Sequence, residues 1–278
     1  MKEIIIHTLL DGIKLLPFLF ITFLFIEILE HNFTNKTKKI ISKSGKFGPL
    51  IGSTLGVIPQ CGFSVAATNL YVTRIISLGT LIAIYLSTSD EMLPILLSEK
   101  VEFKTILVLI GIKWIVGIIF GFIIDFIFRK NIKKIEIHEI CEHDHCHCEK
   151  EGIILSSIKH TTNTMIFIFI ATFIVNFIFH KYGEDNLSKL FLNDSIFTPF
   201  LSSLIGLIPN CGASVMLTEL YIGGVLGIPS LIGGLLTGSG VAILVLFKTN
   251  KDIKENIRIV SLLYLIGVFI GLFLQLIL

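Results

Sequence analysis

Two stretches of the sequence carry the same polar and helix-breaking residues inside apolar sequence: GVIPQCGFSV begins at Gly56 and GLIPNCGASV begins at Gly206. In each stretch the proline ends a helix and the glycine permits a tight turn. The cysteine is a soft ligand suited to zinc, copper(I) or trivalent arsenic, and the preceding amide offers an oxygen. The alternative is that both thiols only pack at a crowded turn. The candidate ligands are Gln60, Cys61, Asn210 and Cys211.

A second pair of polar interruptions follows, LSTSDEM at 86–92 and LTGSGVA at 236–242. Within a membrane segment an ionisable residue is costly, so it normally faces a pathway or a partner. Asp90 is therefore the strongest candidate for binding a cation or a proton, and Glu219, which aligns with Asn69, is the next. Alternatively, Asp90 and Glu91 lie near an interface and help to end a helix. The other candidates at these interruptions are Ser87, Thr88, Ser89, Thr237 and Ser239.

Further ionisable residues lie at the start of each half. His7 and Asp11 are four residues apart, so one helix face can present both to a metal or a proton. Asp11 can equally pair with Lys14. His160 aligns with Asp11, and a lone histidine at a helix entrance is more often interfacial than a ligand. Three other charged residues are interpreted as structural, because they lie near helix ends or can extend toward them: Glu27, Lys113 and Asp125.

The densest metal-ligand chemistry lies in HEICEHDHCHCEKE, at positions 138–151, which holds four histidines and three cysteines in close succession. The spacing matches no zinc-finger pattern, so a disordered tract that binds soft or borderline metals loosely is expected. The alternative is a charged linker that happens to contain these residues. No fixed cofactor is implied, only a transported or loosely bound metal ion. The ligands are His138, Cys141, His143, His145, Cys146, His147 and Cys148.

The elements that position these residues are predicted to be membrane helices. The chain has 278 residues, of which 53% are hydrophobic and 16% charged, and its mean hydropathy is +0.85. Soluble domains carry about 25% charged residues. A net charge of +2 gives no reason to expect nucleic acid, so the expected partner is the lipid bilayer. The N-terminus lacks a signal-peptide cleavage pattern and is interpreted as the first spanning helix.

Ten apolar segments divide into five before and five after a polar linker. Segments 47–58 and 196–209 are too short to cross a hydrocarbon core of about 30 Å, and both run into Pro-x-Cys-Gly. Each is therefore predicted to be the first arm of a re-entrant hairpin. The segments are 4–29, 47–58, 63–76, 78–97, 105–128, 162–180, 196–209, 213–227, 230–247 and 257–278.

The two sets of five segments are repeats. At a constant offset along the chain, the identical pairs include Pro49 with Pro199 and Tyr71 with Tyr221. The predicted fold is an all-α membrane protein of two inverted five-segment repeats, each with a re-entrant hairpin and a second broken helix. The first repeat is assigned to 1–128, the cytoplasmic linker to 129–159 and the second repeat to 160–278.

Basic residues predict the orientation. With the N-terminus outside, 16 Lys and Arg side chains fall on the cytoplasmic side and five outside, as the positive-inside rule requires. Each half then crosses an odd number of times, so the second half is inverted and the two hairpins enter from opposite faces. Both termini are predicted outside and the His/Cys loop in the cytoplasm. Paired broken helices between inverted repeats mark the substrate site of secondary transporters.

The sequence resembles a bacterial family of ten-helix heavy-metal exporters, whose members are labelled arsenic efflux proteins or manganese transporters. The resemblance is carried by HTLLDGIKLLPFLFITFLFIEILEH near the N-terminus, by GVIPQCGFS and GLIPNCGAS, and by the central His-rich loop. It covers essentially the whole chain. It implies a permease of the bacterial inner membrane that exports a metal or metalloid. Carboxylates and hydroxyls suit manganese, whereas the two thiols suit arsenite or softer metals.

We expect a secondary transporter rather than an enzyme. No G-x-x-x-x-G-K-[ST] phosphate loop occurs in the sequence, so a proton or ion gradient is the expected driving force. Asp90, Glu219 or Asp11 would exchange the cargo for a proton. The favoured cargo is a divalent cation such as manganese, and the alternatives are arsenite, an organoarsenical, zinc or copper. The other classes considered are a membrane metal sensor and a thiol oxidoreductase using Cys61 and Cys211. A homodimer is compatible with the sequence.

Overall fold

The computed structural model describes residues 47–58, 61–89, 92–128, 153–182 and 197–277, with isolated positions between 16 and 28. Within this part of the chain every regular element is a helix, which confirms the predicted all-α class. The helices are α1 (Gly48–Gly56), α2 (Cys61–Val72), α3 (Leu78–Ser87), α4 (Met92–Ser98), α5 (Phe103–Phe128), α6 (Ile153–Tyr182), α7 (Thr198–Gly206), α8 (Cys211–Ile222), α9 (Ile228–Thr237), α10 (Ala242–Thr249) and α11 (Ile253–Ile277).

Four stretches of described helix are long and apolar enough to cross a membrane: Leu78–Ser98, Phe103–Phe128, Ile228–Thr249 and Ile253–Ile277. The first and third are the pairs α3–α4 and α9–α10, which are 75% and 78% buried inside the protein, whereas α5 and α11 are each 33% buried. The interrupted helices therefore lie at the centre and the continuous ones at the periphery. The outer faces of α5 and α11 expose large apolar side chains, as a surface that contacts lipid does.

The two halves pack their helices in the same way. In the first half α3 packs on α1 and α5, and in the second half α9 packs on α7 and α11. Between the halves, α2 contacts α10 and α4 contacts α8, so a short helix of each half packs on the interrupted helix of the other. The sequence repeat is thus also a repeat of packing.

Close packing within each half depends on the first glycine of each motif. A Cβ added to Gly56 would collide with the Ser87 hydroxyl, and a Cβ added to Gly206 would collide with the Gly234 carbonyl oxygen and the Thr237 hydroxyl. Ser87 and Thr237 are themselves equivalent positions of the sequence repeat. Glycine at the two motif positions lets α1 approach α3, and α7 approach α9, to backbone contact.

The helices end where Pro, Gly and polar residues interrupt the apolar segments. Residues 57–58 follow the end of α1, and residues 207–210 separate α7 from α8. Thr88 and Ser89 follow the end of α3, and residues 238–241 separate α9 from α10. We call the last two the α3–α4 break and the α9–α10 break. Every helix end at a break leaves backbone carbonyl or amide groups without partners in the helix, so each break is a place where polar groups can bind a ligand.

Helix α6 begins at Ile153, before the start of the apolar segment predicted at 162–180. The apolar residues at 153–155 continue the hydrophobic helix beyond the predicted segment. Residues 129–152, which include the seven His and Cys ligands of the loop, lie outside the described residues.

Candidate functional site between two helix breaks

A small cavity lies where the α3–α4 break meets the α9–α10 break. About 10 Å³ of it is open to the centre of a water-sized sphere, which is room for about one water molecule or one bare ion. The described residues that line it come from both halves: Thr88, Ser89, Met92, Lys113, Asn210, Ser214, Leu235, Gly238 and Gly240. Hydroxyl, amide and ammonium groups therefore converge on one point inside an apolar protein.

The first half contributes the C-terminus of α3. Thr88 ends this helix with extended backbone (φ −56°, ψ 128°), and its Oγ1 lies 2.7 Å from the Ile84 carbonyl oxygen, to which it donates. Its hydroxyl also shares a 3.0 Å hydrogen bond with the hydroxyl of Ser64 on α2. Ser89 donates to the Ser87 carbonyl at 3.2 Å. These buried hydroxyls keep the break polar without exposing it to solvent.

The second half contributes the N-terminus of α8 and the α9–α10 break. Asn210 precedes α8 in extended conformation and is 5% exposed, and Ser214 lies in the first turn of that helix. Thr237 donates to two backbone carbonyls at 2.8 Å each. The hydroxyl of Ser239 is buried and has no hydrogen-bond partner among the described residues. Ser239 lies between Gly238 and Gly240, which line the cavity, but is not itself one of the lining residues.

Lys113 corrects a sequence prediction. It was expected to lie near a helix end or to extend toward one, yet it is 1% exposed and lies about 15 Å from the start of α5. Its Nζ donates to the carbonyl oxygens of Thr88 and of Leu235, the latter at 2.9 Å. The ammonium is stable at the meeting point of the two breaks because both helix C-termini attract a cation there. The sequence did carry a signal of this burial, because Lys113 lies well inside a 26-residue apolar helix and not at one of its ends.

Asp125 is structural, as predicted. Its carboxylate accepts hydrogen bonds from the Ser77 hydroxyl at 2.7 Å and from the Gly79 amide at 2.8 Å. Ser77 is in turn the N-cap of α3 and accepts from the Thr80 amide at 3.2 Å. This carboxylate therefore anchors the start of α3 to α5 and complements the positive end of the α3 dipole.

A stripe of hydroxyls runs along α2 from the cavity. Below Ser64, Thr68 donates to the Ser64 carbonyl at 2.8 Å and shares a 2.5 Å hydrogen bond with the Tyr85 hydroxyl. One turn further, the Tyr71 hydroxyl donates to Glu255. Tyr71 was predicted only as a residue shared by the two repeats, and the stripe was missed. The S-x-x-x-T-x-x-Y pattern at 64–71, which recurs at 214–221, was the signal.

At the end of this stripe an ion pair joins the halves. The Arg74 guanidinium donates to both carboxylate oxygens of Glu255, at 2.6 and 2.8 Å, and Asn250 donates to the same carboxylate at 3.0 Å. The pKa of Arg74 is raised above its ordinary value, chiefly because Glu255 accepts its hydrogen bonds. Arg74 has φ 59°, a left-handed conformation that is strained for a residue with a Cβ. This bidentate geometry is specific and links the turn after α2 to the first turn of α11.

The remaining predicted residues are placed as follows. Cys211 is half-buried at the start of α8. Asn69 is 3% exposed, and neither atom of its amide has a hydrogen-bond partner within the described part of the chain. Glu219, at the equivalent position on α8, is exposed and is not among the residues that line the cavity.

Other predicted ligands lie outside the described residues. They comprise the N-terminal pair, the two acidic residues that follow Ser89 in the sequence, the amide of the first motif and the whole His/Cys loop: His7, Asp11, Gln60, Asp90, Glu91, His138, Cys141, His143, His145, Cys146, His147 and Cys148. Cys61 and His160 lie in helices whose backbone is described, but their side chains are not. Among the described residues, no three His, Cys, Asp or Glu side chains are grouped to hold a metal.

Comparison with known proteins shows the family of the chain. A family model described as "Putative, 10TM heavy-metal exporter" matches residues 1–180. The chain belongs to this family, as the sequence resemblance indicated. It is a multi-pass membrane protein of an exporter family, which is not an enzyme class. Neither the curated proteins nor the solved structures contain a match.

Proposed function

We propose that the protein is a secondary transporter that exports a metal ion from the cytoplasm through the cavity between the two breaks. The observation that carries the proposal is the convergence of both interrupted helices on one cavity that hydroxyl, amide and ammonium groups line together with apolar side chains. Interrupted membrane helices are tolerated where they line a cavity, and in transporters built from inverted repeats such paired breaks bind the substrate. Membership of a family described as heavy-metal exporters supports a metal ion as the cargo and export as the direction of transport.

The arrangement of the halves agrees with a two-fold relation between them, which we take to be that of inverted repeats. In our proposal α1–α2 and α7–α8 are re-entrant hairpins that enter from opposite faces and meet near the midplane. The exchange of contacts, α2 with α10 and α4 with α8, is what a two-fold relation between the halves would produce. Rigid movement of one half against the other would then expose the cavity to each side in turn.

Basic residues support an inner-membrane location with cytoplasmic ends at one face. Arg74 contacts Glu255, Arg258 lies over the ring of Phe128 at 5.7 Å, and Lys248 donates to Thr164 at 3.2 Å. The basic residues among these, Arg74, Lys248 and Arg258, all fall on the cytoplasmic side in the predicted topology. This assignment agrees with the positive-inside rule.

The donors of the cavity favour a hard divalent cation such as Mn²⁺. The oxygen donors on its wall are hydroxyl, amide and backbone groups, which such cations prefer to sulfur; the Met92 thioether is the sulfur ligand among the described lining residues. Asp90, which follows Ser89 in the sequence, is proposed to supply the charge that exchanges the cation for a proton. In this proposal Cys61 and Cys211 serve packing at the hairpin tips.

Arsenite is a second candidate cargo, and one observation favours it. Lys113 is the charged residue among the described residues that line the cavity, and a cation is repelled by it. Arsenous acid is neutral at pH 7 and would meet no such repulsion. If arsenite is the cargo, Cys61 and Cys211 become its candidate ligands.

The hydroxyl stripes are proposed as the two half-pathways. Ser64, Thr68 and Tyr71 lead from the cavity toward the Arg74–Glu255 pair, which we place at the cytoplasmic face. Ser214, Thr218 and Tyr221 form the equivalent series on α8, which we direct outward. The His/Cys loop is proposed to hold metal loosely before entry, with no fixed cofactor. In a sensor, deletion of this loop (138–149) would abolish function, whereas a transporter would retain transport.

The test is transport of separate ions by purified protein in liposomes: Mn²⁺, Zn²⁺, Cu⁺ and arsenite, with and without a proton gradient. We expect gradient-dependent movement of Mn²⁺, reduced at least tenfold by Asp90→Asn and severalfold by Ser239→Ala. Ser98→Ala, which changes an exposed serine on α4, is the matched control and should leave the rate unchanged. If arsenite alone were transported, Cys61 and Cys211 would become the proposed ligands. If none of the ions were transported, the proposal would be overturned.

A further inference from the structure

Lys113 joins the two breaks directly. Its ammonium donates to Thr88, at the C-terminus of α3, and to Leu235, in the last turn of α9. These two helices belong to different halves of the protein, and the same lysine lines the cavity between them. A single side chain thus contacts both interrupted helices at once.

The carbonyl groups that Lys113 occupies form a natural cation site. The last carbonyls of a helix have no amide partner in the helix, and the helix dipole makes this end negative. Two such ends meet here, and the cavity has room for about one ion. Two positive charges in one small, poorly solvated cavity repel each other strongly. The ammonium and a cargo cation therefore cannot both be held tightly by these oxygens.

We propose that Lys113 is a tethered competitor for the cargo cation. In the cargo-free protein its ammonium holds the two breaks together, and an entering cation takes over these oxygens by displacing it. This inference rests on the proposed function, because it requires that a cation binds in the cavity. As a consequence, the empty transporter has a closed state held by the Lys113 contacts, and through this state its cavity can return to the cytoplasmic side. In the loaded transporter the same contacts are broken.

The test compares Lys113→Met with Leu263→Met in the full-length purified protein, using Mn²⁺ as the probe. Leu263 is the buried residue at the equivalent position on α11, so the second variant places the same side chain in the other half. We expect Lys113→Met to bind Mn²⁺ at least tenfold more tightly by calorimetry. In liposomes, Mn²⁺/Mn²⁺ exchange should stay within twofold of wild type, whereas net efflux should fall at least tenfold, because only net efflux needs return of the empty protein. Leu263→Met should leave all three values within twofold of wild type.

The outcomes separate the inference from the function on which it rests. If wild-type protein neither binds nor moves Mn²⁺, both are overturned for this cation. If wild type does both, and Lys113→Met binds Mn²⁺ no more tightly or loses exchange together with net efflux, the competitor role is overturned and the transporter stands. If Lys113→Met does not fold, Lys113→Arg decides: its permanent charge should keep Mn²⁺ affinity at or below the wild-type value, and tighter binding would contradict the proposal.

Discussion

Lys113 on α5 and Leu263 on α11 occupy equivalent positions in the two halves, and both are almost completely buried. The backbone contacts around them also correspond, since α5 packs on α3 as α11 packs on α9. Of these two positions, however, only the one in the first half places an ammonium at the junction of the two breaks. One charge serves both helix ends, because a second ammonium in the same small cavity would be repelled by the first.

A similar difference separates the turns that follow α2 and α8. Arg74 and Gly224 occupy equivalent positions of the repeat, and both have a left-handed backbone, with φ 59° and 73°. Glycine adopts this conformation without strain, whereas arginine does so at a cost of about 1–2 kcal/mol. Arg74 is held there by its bidentate pair with Glu255. The two halves thus share the packing of their helices and differ in the charges placed on it.

The largest loss of stability is expected at the first glycine of each motif, where the packing of the two halves is most alike. Gly56→Ala and Gly206→Ala each force a Cβ into Ser87 or into the Gly234 backbone and Thr237, so each should destabilise the protein by about 1–3 kcal/mol. Thermal unfolding in detergent measures this. Gly111→Ala, where a Cβ meets nothing within 4 Å, is the control and should be neutral or stabilise α5 by about 0.5–1 kcal/mol. If the two substitutions lowered the free energy of unfolding by different amounts, the two halves would share their packing but not its contribution to stability.

A smaller change in stability is expected on breaking the Arg74–Glu255 ion pair, which the turn after α2 carries and the turn after α8 does not. In a double-mutant cycle of Arg74→Met and Glu255→Gln, the coupling free energy should be about 1 kcal/mol. A larger value is not expected, because the Arg74 side chain is 37% exposed and solvent screens the pair. Lys254→Met, which removes an exposed charge from the same turn of α11, is the control and should change stability by no more than about 0.5 kcal/mol. A coupling near zero would remove the pair as a link between the halves.

Local sequence signals predicted the helices and their breaks well, whereas burial and pairing needed the assembled structure. Proline, glycine and hydroxyl residues end helices by local rules, so the helix ends before Thr88 and before Gly238 could be predicted directly from the sequence. Lys113 was misjudged because its surroundings are set by α3 and α9, and α9 lies far away in sequence. The Arg74–Glu255 pair likewise joins positions far apart in the chain and has no local signature.

The smallest expected change in stability is also the one that best separates fold from function. Asn69 buries an amide with no hydrogen-bond partner among the described residues, whereas its equivalent in the second half, Glu219, is exposed. An unsatisfied buried amide costs about 1–3 kcal/mol, so Asn69→Leu should leave the melting temperature unchanged or raise it by a few degrees. Such a cost persists in a protein when the group has a role outside the resting fold.

If that role is to contact the cargo as it leaves the cytoplasmic half-pathway, Asn69→Leu should lower Mn²⁺ efflux severalfold in the liposome assay while the protein stays folded. Glu219→Gln is the matched change on α8. It should leave the melting temperature unchanged because the Glu219 side chain is exposed. A fall in both melting temperature and efflux for Asn69→Leu would instead mean that the amide supports the packing of α2. The difference between the two equivalent positions would then belong to the fold and not to transport.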